Sequence, residues 1–162
     1  MAKRSEGLVF LLGKLVYTWT NTESMLIYLM GDLMGTSKPV AIVTFLTLNT
    51  TRARLDFVER LAKLPAVPTA DRKAILAMTS RMKTAAKQRN KYNHCVYEFN
   101  QEGEMVSTQL LRIAEYSDSV RYGRVDPIDA PEIERLNHTI AEIQSLNTAI
   151  QDYLKSKAIV FA

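Results

Sequence analysis

The sequence predicts an all-α fold: an antiparallel helical bundle of four to five helices with a small β-hairpin between the last two helices. Three observations predict it. Apolar residues recur at helical spacing from Leu55 to Ala62, from Ile75 to Ala86 and from Ile133 to Leu154. Pro39, Pro65, Pro68 and Pro131 fall at the ends of helical stretches, and Pro127 lies in a stretch with little periodicity. Only residues 95–116 trade helical spacing for two extended segments, Cys95 to Asn100 and Met105 to Tyr116, around a glycine turn at Gly103.

Taken in order, Glu6 to Met34 reads as one long helix, stopped by Gly35 with Pro39 beyond it. Its apolar residues lie nearly all round, among them Leu8, Phe10, Leu15, Tyr17, Trp19, Leu26 and Met30. A helix without a clear polar face is buried on more than one side, centrally in a bundle or against a partner subunit. A homodimer is therefore expected. Halfway along sits a polar girdle that includes Glu23. Residues 39–64 read as a short helix and a longer one, with Asn49 or Thr50 available as the cap between them. The β-branched run Ala41 to Leu46 leaves a strand open as the alternative for the first. Arg52, Arg54, Glu59, Arg60 and Lys63 read as a solvated face. Thr69 caps a helix from about Ala70 to His94 or Tyr97, Ser117 to Asp129 reads as a loop, and Pro131 to about Lys157 is a clear amphipathic helix. Residues 1–162 are expected to form a single domain.

Composition narrows the function. Lys and Arg exceed Asp and Glu by 21 − 17 = 4, which permits contact with an anion without demanding it. Cys95 is the only cysteine, so no intrachain disulfide forms and a structural zinc site would lack thiols. A reducing, cytoplasmic setting fits. The longest uncharged run, Pro39 to Thr51, is too short to span a bilayer, which needs about twenty apolar residues. No phosphate-cradling glycine loop is present, and no cofactor is expected.

Chemistry concentrates in Arg89-Asn90-Lys91-Tyr92-Asn93-His94. On a helical wheel Arg89 and Asn93 continue the apolar line of Ile75, Met82 and Ala86, while Asn90 and His94 form the adjoining i,i+4 row. An inward guanidinium needs acceptors or solvent. Either the seam opens here into a polar groove lined by the four side chains, or Arg89 pairs with Glu23 to set helix register and His94 only closes the bundle end. Arginine offers a permanent forked charge for phosphate oxygens, and histidine exchanges protons near neutrality. Together they suit RNA cleavage without a metal: His94 takes the proton of a ribose 2′-hydroxyl, Arg89 steadies the charge on the phosphorane, and Asn90 and Asn93 orient the phosphate or the imidazole. Cys95 beside His94 does not make a nucleophile pair, because neighbours on a helix point about 100° apart.

The Arg-Asn-x3-His pattern at a helix end, after a long first helix with Trp19 and Glu23 and a break at Phe45…Asn49-Thr50, resembles the HEPN (higher eukaryotes and prokaryotes nucleotide-binding) superfamily. That resemblance implies a helical bundle that dimerises so that two motifs meet in one cleft. In many members it implies metal-independent ribonuclease activity in toxin–antitoxin or defence systems, with RNA as substrate and an antitoxin or other protein as partner. Other members have lost catalysis and act as interaction modules, so the alternative for this chain is a non-catalytic helical dimer that binds a protein partner or nucleotide. Some HEPN toxins carry a tyrosine two residues after the histidine; here that position is Val96, and Tyr97 follows one later.

Overall fold

The computed structural model describes residues 3–159. Among them, six helices and five strands follow in the order α1 (Lys3–Ser24), α2 (Leu26–Met34), α3 (Lys38–Thr47), α4 (Thr51–Ala62), α5 (Thr69–Asn93), β1 (Cys95–Phe99), β2 (Met105–Leu110), β3 (Ile113–Glu115), β4 (Val120–Tyr122), β5 (Val125–Pro127) and α6 (Ala130–Ser156). With 13% of the chain in strands, the protein is mixed α/β rather than all-α. The expected hairpin is only the first pair of a larger antiparallel region. Segment 117–129, read as a loop, supplies two more strands. Three-residue strands are too short for a period of two to register in sequence. Pro127, which reads as a breaker, lies on β5 at the sheet edge, where a missing N–H breaks no ladder bond.

The chain forms two compact units. Unit 1 comprises Met1–Tyr17 with Lys87–Ala141, and unit 2 comprises Thr18–Ala86 with Glu142–Ala162.

Unit 2 is built on aliphatic packing. Leu26, Leu29 and Met30 of α2, Leu55 and Val58 of α4, Ile75 and Met82 of α5, and Ile143, Leu146, Ile150 and Leu154 of α6 are all buried. Their spacing of three and four turns one face of each helix inward. The first helix, expected to run unbroken to Met34, breaks at Met25, whose N–H bonds to Thr22 O at 3.2 Å. Thr22 Oγ1 donates to Thr18 O and Ser24 Oγ to Asn21 O, at 2.8 and 2.9 Å. Such back-bonds compete for ladder carbonyls and bend helices. α2 ends as expected at Gly35, which is left-handed (φ 59°), with Gly35 N bonded to Asp32 O and Thr36 N to Gly31 O. Thr50 caps α4, its Oγ1 accepting from Ala53 N at 3.1 Å.

Unit 1 holds the strands. β1, β2 and β5 form an antiparallel sheet in the order β1-β2-β5, and β3 pairs with β4. Beyond Gln109↔Val125 the next pair is Ile113↔Tyr122. On that side residues 110–112 thus stand opposite only 123 and 124, a bulge that carries the β2–β5 ladder into β3–β4. Gly123 is required there: a Cβ would stand 2.2 Å from Leu110 O. Past the bulge every residue from Leu111 to Tyr122 is exposed. At the other end of the sheet, Ser5 Oγ of α1 accepts from Met105 N at 2.9 Å.

Among the described residues, no helix is long and apolar enough to cross a membrane.

Candidate functional site

The last turn of α5 is held from below by a polar network. Glu132 lies in the first turn of α6, 3% exposed. Asp129 caps that helix, its Oδ1 accepting from Glu132 N at 2.9 Å. The Glu132 carboxylate accepts from Tyr92 Oη at 2.7 Å, Lys91 Nζ at 2.6 Å, and Arg135 through Nε and Nη2 at 2.9 and 2.5 Å. Lys91 also pairs with Asp126 at 3.2 Å, and Asp126 with Arg124 at 2.5 Å. Burial alone would raise the Glu132 carboxyl. The hydrogen bonds from Lys91, Tyr92 and Arg135 outweigh it and hold the group below the ordinary range. Asp126 is held low in the same way, burial being overcome by Arg124 and Lys91. Tyr92 moves the opposite way: burial, then its bond to Glu132, pushes the phenol far above its usual value.

Above this network the predicted residues turn outward. Arg89 is half-buried with its Nε enclosed, while Asn90, Asn93 and His94 are exposed. Along the line Ile75, Met82, Ala86, Arg89, Asn93, burial falls from complete to half to none. His94 stands one residue past the helix, with its backbone fixed on both sides. Its N–H bonds to Asn90 O at 3.0 Å, and its carbonyl accepts from Leu111 N at 2.9 Å. The imidazole therefore projects from a backbone pinned between α5 and the sheet.

Tyr97 is not part of that outward group. It is half-buried on β1 and donates its hydroxyl to Tyr92 O at 3.0 Å, satisfying a carbonyl of the last turn of α5. Cys95 Sγ reaches the same carbonyl at 3.4 Å. Burial pushes the Cys95 thiol up, the opposite of an activated nucleophile.

Glu23 belongs to unit 2 and is buried there. Its Oε2 accepts from Trp19 Nε1 at 3.1 Å, and its Oε1 from Thr51 Oγ1 at 2.6 Å with Arg54 Nη1 at 3.3 Å. Arg54 in turn donates Nε to Phe45 O at 3.1 Å and lies 3.9 Å over the Phe45 ring. Arg54 is thus no member of a solvated face; it balances a buried carboxylate and closes the α3–α4 junction.

Sequence reading missed Lys91, Tyr92, Asp126 and Glu132 as the support for the motif. One signal was available: Asp129-Ala130-Pro131-Glu132 has the D-x-x-E spacing of a helix start, which puts a carboxylate in the first turn. Among the described residues, no group of three His, Cys, Asp or Glu is placed to hold a metal ion. Comparison with known proteins returns no matching family model, no similar characterised protein and no similar solved structure.

Proposed function

We propose that this chain is a HEPN-like endoribonuclease that works without a metal, with Arg89 and His94 of two copies sharing one cleft. The observation that carries this is an exposed imidazole on a backbone fixed at both N–H and C=O, next to the helical turn that bears Arg89, Asn90 and Asn93. A catalytic base must reach substrate yet keep its position, and such positions are held by the residues beneath them. The Lys91–Tyr92–Glu132 network supplies that support.

In the reaction, His94 accepts the proton of a ribose 2′-hydroxyl, and the 2′-oxygen attacks the adjacent phosphorus. The bond to the 5′-oxygen breaks, that oxygen takes a proton from water, and the hydroxide left behind recovers the proton held on His94. The products are a 2′,3′-cyclic phosphate and a 5′-hydroxyl. Arg89 balances the charge that builds on the phosphorane oxygens, and Asn90 and Asn93 hold the phosphate. The setting consistent with this chemistry and with one half-buried cysteine is the cytoplasm, in a toxin or defence role with an antitoxin or other protein as restraint.

The test is digestion of mixed RNA in EDTA by the wild type, Arg89→Ala and His94→Ala. Cleavage by the wild type alone is the expected result. Equal cleavage by His94→Ala overturns the assignment, and no cleavage by any of the three moves the reading to a non-catalytic helical dimer that binds a protein or nucleotide.

A further inference from the structure

A cleft shared by two copies needs an interface, and α1 offers one within unit 1. Val9, Phe10, Val16 and Tyr17 are exposed at 44, 71, 46 and 73%. Single exposed apolar side chains are ordinary, but these four make a pattern. The pair Val9–Phe10 recurs seven residues later as Val16–Tyr17, two helical turns along the same face. At 100° per residue the valines line one side and the aromatics the other, and Gly13 lies midway in both height and angle. Gly13 is exposed, and nothing lies within 4 Å of where its Cβ would stand. The face is a shallow groove: two apolar ridges with a floor that has no side chain.

Its symmetry says what fits it. A two-fold pair brings one patch against itself, so the patch must be complementary to its own image. With a second copy lying antiparallel and both Gly13 residues at the crossing, Phe10 of each copy meets Tyr17 of the other, and Val9 of each meets Val16 of the other. The glycines let the two backbones approach closely. The ridges carry no charge; Lys14 stands at the margin, about 100° round the helix from Gly13, and the exposed Glu6 lies in line with Gly13 at the N-terminal end of the groove. An aromatic side chain offers roughly 200 Å². Four rings at this exposure contribute on the order of 600 Å², about half the ~1,200 Å² at the lower end of stable interfaces, before the valines and flanking residues are counted.

The geometry points to the Val9–Phe10/Val16–Tyr17 face of α1 as the surface through which two copies of this chain pair, antiparallel about Gly13. It deepens the two-copy reading above and rests on it for its functional meaning.

Light scattering across micromolar concentrations tests it, using the wild type and the double variant Phe10→Lys/Tyr17→Lys. The wild type should run at twice the 18.3 kDa chain mass and the variant at once that mass, with helical circular dichroism retained. A cysteine scan locates the axis in a Cys95→Ser background. Gly13→Cys should form a covalent dimer on air oxidation, because its Cα meets its own image within disulfide range, while Lys14→Cys should not. A monomeric wild type, a double variant that still dimerises, or equal cross-linking at both positions overturns the interface. A wild-type dimer that the lysines split, in a protein that leaves RNA intact, supports the interface and overturns only the ribonuclease reading.

Discussion

α6 is held in two different ways along its length. Between Ile143 and Leu154 it buries Ile143, Leu146, Ile150 and Leu154 in the aliphatic core of unit 2. At its start, in unit 1, it buries not only Leu136 and Ile140 but also the carboxylate of Glu132, which answers to Tyr92, Lys91 and Arg135. α5 divides likewise, with Ile75, Met78 and Met82 buried in unit 2 and Lys91 and Tyr92 bonded to Glu132 in unit 1. Aliphatic packing is non-directional and contributes bulk stability in proportion to area removed from water. A carboxylate with several donors is directional: it contributes less net stability, but it fixes orientation. The orientation it fixes is that of the helical turn bearing Arg89, Asn90, Asn93 and His94.

The sharpest way to break this contrast is to truncate one residue on each side. Ile150→Ala, in the aliphatic part, should cost about 2–5 kcal/mol in urea unfolding, because a fully enclosed side chain leaves a cavity. Glu132→Gln should cost less, about 1–3 kcal/mol, since an amide cannot accept from all the donors now served. Its loss should also show at the site, as reduced RNA cleavage with His94 intact. An Ile150→Ala loss smaller than that of Glu132→Gln would reverse the assignment of which region holds by packing.

Acid provides the next cut. Glu132 is held below the ordinary glutamate value of 4.5, so its contribution is full above that value and is lost as pH falls through the lower folded-state value. Asp126 acts in the same direction from 3.8 downward. The wild type should therefore lose stability below about pH 4.5, and the acid limb should be shallower in Glu132→Gln. Parallel limbs from denaturant titrations at pH 3–7 would remove Glu132 from the account.

Smaller effects test local features. Thr50→Ala should cost about 1 kcal/mol by removing the α4 cap, measured by thermal unfolding. His94→Ala should change stability by less than about 0.5 kcal/mol, because the exposed imidazole is held by its backbone rather than by packing.

The two regions were also unequally legible in the sequence. Helical spacing located the aliphatic faces, and Thr50, Gly35 and Pro39 marked their ends, because caps and stops are local chemistry. The break at Met25 was hidden, since back-bonding by Thr22 and Ser24 depends on hydroxyl orientation rather than on pattern. β4 and β5 were missed because each is only three residues long, and Gly123 between them makes room for Leu110. At the site, the i,i+4 rows of the motif were readable from spacing alone. Arg54 was misread as solvated because its partners, Glu23 and Phe45, are fixed by packing between helices. Tyr97 was singled out for its place after the motif, while its bond to Tyr92 O depends on β1 turning back along the helix end.

The most direct test of the central claim is the chemistry of the RNA ends produced in EDTA by the wild type beside folded His94→Ala. The account predicts 2′,3′-cyclic phosphate and 5′-hydroxyl ends from the wild type and no cleavage from the variant. Ends bearing 3′-hydroxyl and 5′-phosphate, or cleavage by His94→Ala at the wild-type rate, would contradict it.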